Sequence, residues 1–498
     1  MGVVKDQSIQ NTVIQYLGIA LGYFSSVILF TEILDIEQYG LTRVLFAIAG
    51  IYVNLSSLGT FKIVVRFLPF FRTDNKRHHG FLTFNILFSL IGFIVVSALY
   101  VVLREPIVNQ YQDSSKLFVD NYFYVSLLAF LMLYTSLLEN YLMAMRKTVF
   151  TNFLKSIFIR LIWILEIVLY YFNYLDFDTF LFLYVSSYFV NFLIMVFYLY
   201  RMGEFHWSME FFKQRKKVLK VISNYGMFSI VSGISSLLVN RIDIIMITFL
   251  LGLSATSVYQ IAFYISSIIF VPSQAIARIS MPIVSKQWKE KNMAGMKELY
   301  QKSSLNQLII GGLVFLMVWV NIDDLFSFLK PAYSEGKWVV LILSLSVLFN
   351  MVTGINNVII VITKYFRYDT YASIALAVLT IVTNLTFIPL FGIEGAAFAT
   401  LLSIVMYHSF KYILIQVKLK MQPFTVNTIW AVLLIIACYA VTSQIPNLTS
   451  NLFAMILLKC AAIFVLYVGA LYLTGISKDI QDEISSTIKK LKKGLRIS

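Results

Sequence analysis

The chain has 498 residues, of which 59% are hydrophobic and only 13% charged. Soluble domains carry about 25% charged residues, so this composition, with a mean hydropathy of +0.80, excludes a soluble globular fold and describes an all-α polytopic membrane protein. A net charge of +15 would suit a nucleic-acid partner, but the basic residues sit in short loops between apolar runs, where an anionic membrane surface accounts for them.

A spanning helix needs about 20 mainly apolar residues. In chain order the segments that meet this are 10–31, 41–65, 80–103, 118–144, 148–172, 178–200, 221–250, 256–282, 304–322, 337–362, 370–390, 394–416, 426–444 and 452–474. The first follows a single lysine and lacks a small-residue cleavage site, so it is read as an uncleaved span. With the N-terminus inside, one set of loops carries Arg72, Lys76 and Arg77, then Arg146 and Lys147, then Lys213 to Lys220, Lys286 to Lys302, and Lys418 and Lys420. The opposite set holds only Arg104, Lys116, Lys330 and Lys337. Lysine and arginine favour the cytoplasmic side, so both termini are predicted to be cytoplasmic.

A faint repeat recurs 217 residues apart: Lys147 matches Lys364, Ser156-Ile157 matches Ser373-Ile374, and Gly40-Leu41 stands where Ser257-Val258 stands. Such repeats typify secondary transporters, whose site lies between the halves. The expected organisation is an N-terminal six-helix lobe over 1–205, a basic linker at 206–220 and a second six-helix lobe over 221–420. Two further transmembrane helices follow at 421–476, and a basic tail at 477–498 lies on the membrane surface.

The seventh segment carries the clearest polar stripe. Tyr225, Ser229, Ser232, Ser236, Asn240 and Asp243 follow at steps of three or four, one face of a helix, with Arg241 beside them. Polar and charged groups at membrane depth turn away from lipid, towards neighbouring helices or a wet cavity. The predicted cavity set is Asn240, Arg241, Asp243, Lys155, Arg160, Asn191, Gln274, Arg278 and Asn350. Lys155 and Glu166, eleven residues apart, are predicted to share a face. Cations outnumber acids inside the spans, which favours an anionic passenger such as a pyrophosphate, held by the planar fork of arginine. Snorkelling towards the surface is the competing reading for Lys155 and Arg278, and snorkelling or lipid contact is the competing reading for Arg160. Glu139, Glu166 and Asp243 are candidates for coupling to a proton or sodium ion, or else neutralise nearby cations. Gly18 and Gly22 form a GxxxG in the first span, read as close helix packing.

Catalytic chemistry is not in view. Cys438 and Cys460 and the four scattered histidines lack metal-ligand or disulfide spacing. There is no phosphate-binding Gly-Lys-Ser/Thr loop and no Gly-x-Ser-x-Gly elbow, so neither an ATP engine nor a hydrolase is expected.

Three stretches carry a resemblance. Leu34-Asp35-Ile36-Glu37-Gln38-Tyr39-Gly40 resembles the acidic-x-x-Tyr/Phe-Gly turn of oligosaccharide flippases. Asn240 to Asp243, followed by Leu250-Leu251-Gly252 and Val258-Tyr259, resembles their seventh-to-eighth span region. Asn384 to Pro389, then Phe391-Gly392-Ile393-Glu394-Gly395-Ala396-Ala397, resembles their eleventh-to-twelfth span turn. The chain is thus similar to Wzx-type polysaccharide flippases of the multidrug/oligosaccharidyl-lipid/polysaccharide (MOP) exporter superfamily. The resemblance implies about 14 transmembrane helices in two lobes, as in multidrug exporters and lipid II flippases. It also implies alternating access and an undecaprenyl-pyrophosphate-linked oligosaccharide moved from the cytoplasmic to the periplasmic leaflet of a bacterial inner membrane. The partners it implies are that lipid, the surrounding membrane lipids, and a polysaccharide polymerase with its chain-length machinery; the expected state is a monomer without cofactor. The alternatives are a drug or cation antiporter and a lipid II flippase; against the latter, the first span has no charge between Val13 and Phe30.

Overall fold

In a computed structural model of the chain, residues 2–486 are described, leaving aside 75, 77, 112–114, 214–215, 447–448, 450 and 483–484. Side chains are described except also at 2–9, 212–213, 216–217, 228, 231–232 and 234–240. The basic residues predicted at the C-terminus, Lys489 to Arg496, lie outside the described residues. Regular structure among the described residues is helical, and helix occupies each apolar segment read from the sequence. Ten of these helices are long and apolar enough to cross a membrane. The fold is therefore an all-helical, multi-pass membrane bundle. It divides into two compact units, residues 1–260 and 261–498.

In the first unit, α1 (Gly2–Tyr23) continues through a π-turn (Phe24–Leu29) into Phe30–Ile33. Next come α2 (Ile36–Ser56) and, after a break at Leu58–Gly59, α3 (Thr60–Phe71). They are followed by α4 (Phe81–Val102) and α5 (Tyr124–Ala144). The fifth span is α6 (Thr148–Phe153), a second π-turn (Leu154–Phe158) and α7 (Ile159–Tyr171). The unit is completed by α8 (Phe177–Arg201) and the long α9 (Lys216–Leu251). Leu41, Leu45, Ala49 and Tyr52 of α2 are buried against α5 residues such as Leu128 and Leu137. Lipid tails are as apolar as leucine, so this burial holds the helices together by close packing and hydrogen bonds rather than by escape from water.

Two loops that the charge pattern puts on one side of the membrane meet in the structure. Lys76 Nζ donates to the Met202 carbonyl at 2.8 Å, and buried His78 Nε2 lies 2.7 Å from Glu204 Oε2.

The second unit begins within α10 (Leu253–Ser267). It goes on through α11 (Val271–Lys289), α12 (Met293–Val320), α13 (Lys337–Val352) and α14 (Asn356–Ile362). The next helix, α15 (Phe366–Leu419), counts 54 residues. A straight helix of that length would run about 80 Å, far beyond a hydrocarbon core of about 30 Å. It is instead two arms folded at Gly392, whose φ of 60° and ψ of −138° suit a residue without a Cβ. Two further helices, α16 (Val426–Thr442) and α17 (Leu452–Thr474), pack on α12.

The 217-residue offset reappears as geometry. α2 starts at Ile36 and α10 at Leu253, and their first turns touch: Ser257 Oγ donates to the Ile36 carbonyl. At Gly40 an added Cβ would run into the Leu253 carbonyl oxygen, a backbone atom with no freedom to move aside. Overpacking of this kind costs about 1–3 kcal/mol. Gly40→Ala is expected to lower the melting temperature of the purified protein in detergent; an unchanged melting temperature would contradict this close approach.

Candidate functional site

The first unit gathers most of the residues singled out in the sequence. Lys155 Nζ, on the π-turn, lies 3.0 Å from Glu139 Oε1 on α5; the lysine side chain is 65% exposed while the carboxylate is buried. Glu166 on α7 is buried, and its Oε2 has no hydrogen-bond partner among the described residues. Lys155 and Glu166 thus sit in different surroundings, the lysine within the π-turn and paired to Glu139, the carboxylate buried.

Between α7 and α8 runs an aromatic and hydroxyl layer. Trp163 Nε1 donates to Ser187 Oγ at 2.8 Å, and the indole packs 5.0 Å from the ring of Tyr184. Asn191, one turn beyond Ser187, is buried, and its Oδ1 has no partner among the described residues. Half-buried Tyr188 is the common reference point: Glu139, Arg160 and Arg241 all act electrostatically on its hydroxyl. Three elements thus place charges within electrostatic reach of Tyr188 on α8: α5 with Glu139, α7 with Arg160 and α9 with Arg241. Arg241 is half-buried and makes no hydrogen bond or ion pair among the described residues.

Asp243 finds its partner on the next helix: Tyr259 Oη donates to its Oδ2 at 2.8 Å, with both residues buried. Thr248 and Thr256 meet at 2.8 Å nearer the turn, and Gly252 makes that turn at φ 92°. Asn240 lies in α9, but its side chain is outside the described residues, as are those of Ser232 and Ser236.

Gln274, Arg278 and Asn350 belong to the second unit. Gln274 and Arg278 are exposed on α11, and Asn350 is half-buried near the end of α13. The sequence reading missed this unit's main buried charge. Lys411 Nζ, on the second arm of α15, lies 2.6 Å from Asp369 Oδ1 on the first arm and donates to Asn357 Oδ1 at 2.8 Å. It also sits 4.0 Å from the centre of the Tyr407 ring. Its side chain is 1% exposed. His408 beside it faces Thr353 and Asn356 at 3.2 Å. A partial signal was available, because the turn around Gly392 puts Asp369 and Lys411 on the two arms of one hairpin. Lys459, on α17, pairs at 2.7 Å with Asp324 of the short helix Ile322–Phe326.

A separate cavity of about 310 Å³ lies between α4, α5 and α8. Phe130, Tyr134, Phe189, Phe192 and Trp207 are among its lining residues, and no charged group is. Such a lining suits hydrocarbon and offers nothing to bind a phosphate.

Against this geometry the comparisons with known proteins can be set. The family model described as polysaccharide biosynthesis protein matches residues 4–288. A second model, MatE, matches residues 229–386. The chain belongs to the polysaccharide biosynthesis protein family, within the MOP exporter superfamily. Among the proteins it resembles are a glycan flippase and multidrug transporters. An uncharacterized membrane protein of Methanocaldococcus jannaschii is 25% identical over 296 residues, 55% of each chain. A protein of Haloferax volcanii, described as a probable low-salt glycan biosynthesis flippase (Agl15), is 26% identical over 189 residues. That match covers 38% of this chain and 40% of the relative. The chain spans about half the length of the curated relatives it matches. The fold is similar to that of the lipid II flippase MurJ in an inward closed conformation, with a TM-score of 0.69 and 13% identity. This likeness covers 94% of this chain and all of that one.

Removing one partner of a buried ion pair strands the other charge and costs about 3–5 kcal/mol, whereas an exposed pair is worth about 0–1 kcal/mol. Asp369→Ala should therefore depress the melting temperature far more than Lys302→Ala, which removes exposed pairs with Glu298 and Asp479. Equal shifts for the two variants would contradict a buried role for Lys411.

Proposed function

We propose that the protein flips an undecaprenyl-pyrophosphate-linked oligosaccharide, a repeat unit of O-antigen, capsule or exopolysaccharide, from the cytoplasmic to the periplasmic leaflet by alternating access. What supports this reading is that Arg160 and Arg241 both lie within electrostatic reach of the Tyr188 hydroxyl, with Lys155 paired to Glu139 nearby. A guanidinium offers a planar pair of donors that match phosphate oxygens, and at membrane depth that interaction meets little competition from water. Half-buried Trp163 and Tyr188 supply flat apolar faces and a hydroxyl, the surfaces on which sugars stack and bond. The family match and the flippase among the relatives support the same passenger class.

The basic loops give the orientation, with both termini in the cytoplasm of a bacterial cell. On that orientation the fifth span rises from the inner surface, so Lys155 meets the head group before Arg160 does. Glu166 is the preferred coupling group. A buried carboxylate oxygen without a hydrogen-bond partner among the described residues is costly when ionised, so a proton or sodium ion that neutralises Glu166 in one conformation drives the cycle in one direction. The protein acts as a monomer alongside the polymerase and chain-length machinery that consume its product.

Arg241→Ala removes a cation from the pathway without disturbing a described hydrogen bond. A charge-assisted contact is worth about 1.5–3 kcal/mol, so surface glycan should fall about tenfold or more while membrane levels of the protein stay unchanged. Full surface glycan in a strain lacking substitute flippases would remove Arg241 from the path. The MatE match and the buried carboxylates within the spans of the first unit, Glu139, Glu166 and Asp243, favour a second reading, cation antiport. That reading predicts proton-coupled efflux of ethidium from vesicles, which the flippase reading does not.

A further inference from the structure

The two glycines of the first span do different work. α1 and the fifth span lie side by side. Near one end, Asn152 Nδ2 donates to Asn11 Oδ1 at 2.7 Å and Asn11 Nδ2 donates to Thr148 Oγ1 at 3.0 Å. One stretch further, a Cβ added at Gly18 would lie 2.6 Å from Ser156 Cβ and 2.8 Å from the Ser156 carbonyl oxygen, with Arg160 Nη1 further off at 3.2 Å. Gly18 is thus the close-packing position that a GxxxG leads one to expect. At Gly22 the neighbour is not backbone. An added Cβ would lie 2.7 Å from Arg160 Cζ and 3.0 Å from each of its terminal nitrogens. The guanidinium lies flat on the helix surface that the missing side chain leaves open.

We propose that Gly22 is a positioning residue for Arg160, so that the first span aims a cation of the fifth span at the passenger's pyrophosphate. The inference rests on the flippase reading above. Arginine has many rotamers, and a side chain that must be ordered on binding gives up affinity. A guanidinium already laid on Gly22, within electrostatic reach of Tyr188, has that ordering done beforehand. Carbon atoms pack at about 3.5–4.0 Å, so an alanine methyl at position 22 pushes the guanidinium away by about an ångström. The group displaced is the end of a flexible side chain, so the helix packing is spared. At Gly18 the same change meets the Ser156 backbone and the packing is not spared.

The test uses the full chain in nanodiscs and saturable binding of a fluorescently tagged undecaprenyl-pyrophosphate N-acetylglucosamine. Arg160→Ala and Gly22→Ala should each raise the half-saturating concentration about tenfold, and the double variant should be no worse than Arg160→Ala alone. Gly22→Ala should melt within about 2 °C of the wild type, whereas Gly18→Ala melts lower. Wild-type binding by Gly22→Ala, with Arg160→Ala weakened, would overturn the seat and leave the flippase reading standing. So would effects that multiply in the double variant, or a melting loss at Gly22→Ala equal to that at Gly18→Ala. A wild-type protein with no saturable binding of this probe would overturn the flippase reading and the seat together.

Discussion

Hydrocarbon offers no counter-ion and no hydrogen bond, so a charge carried to membrane depth has to be compensated by the protein's own side chains. Each unit does this locally. In the first, Glu139 is met by Lys155, and Asp243 by the Tyr259 hydroxyl. In the second, Lys411 is enclosed by Asp369, Asn357 and the Tyr407 ring, and Lys459 is met by Asp324. Arg43 follows the same rule by other means. Its guanidinium lies 4.7 Å from the Tyr39 ring centre, and its Nη2 donates to Tyr184 Oη at 3.2 Å. These contacts fix which helices may neighbour one another, because each joins residues on different spans or on separate turns of one.

The stretches that resemble the flippase family have structural reasons to be as they are. Asp35 caps α2 and Gln38 reaches back to the Asp35 amide, a reciprocal box that satisfies two otherwise orphaned donors. Tyr39 lies under Arg43, and Gly40 admits the Leu253 carbonyl. In the second stretch, Gly252 makes the turn that lets Tyr259 come back to Asp243. In the third, Gly392 folds the chain, and Gly395 lies against the Phe387 carbonyl. None of these is a binding motif in itself; they set the hairpins on which the charged side chains are mounted.

Much of this could be read from the amino-acid order. Apolar runs mark each helix, and the charge of the loops puts residues 72–80 and 202–206 on one side, where Lys76 and Glu204 indeed meet the opposite loop. Periodicity failed where the helix departs from its ordinary repeat. Lys155 lies within a π-turn, which no sequence pattern announces. Lys411 and Asp369 escaped because the turn around Gly392 is legible in the sequence but the register of its two arms is not. Gly22 was legible as a small residue but not as a seat, since what occupies the space is set by the neighbouring span.

The central claim is that cations of the first unit, borne on α7 and α9 around Tyr188, receive the pyrophosphate of a lipid-linked saccharide. An experimental density map of the protein holding undecaprenyl-pyrophosphate N-acetylglucosamine addresses it most directly. The account predicts phosphate density within hydrogen-bonding reach of the Arg160 or Arg241 guanidinium. Phosphates resting only on surface lysines, with both guanidiniums turned away from them, would contradict it.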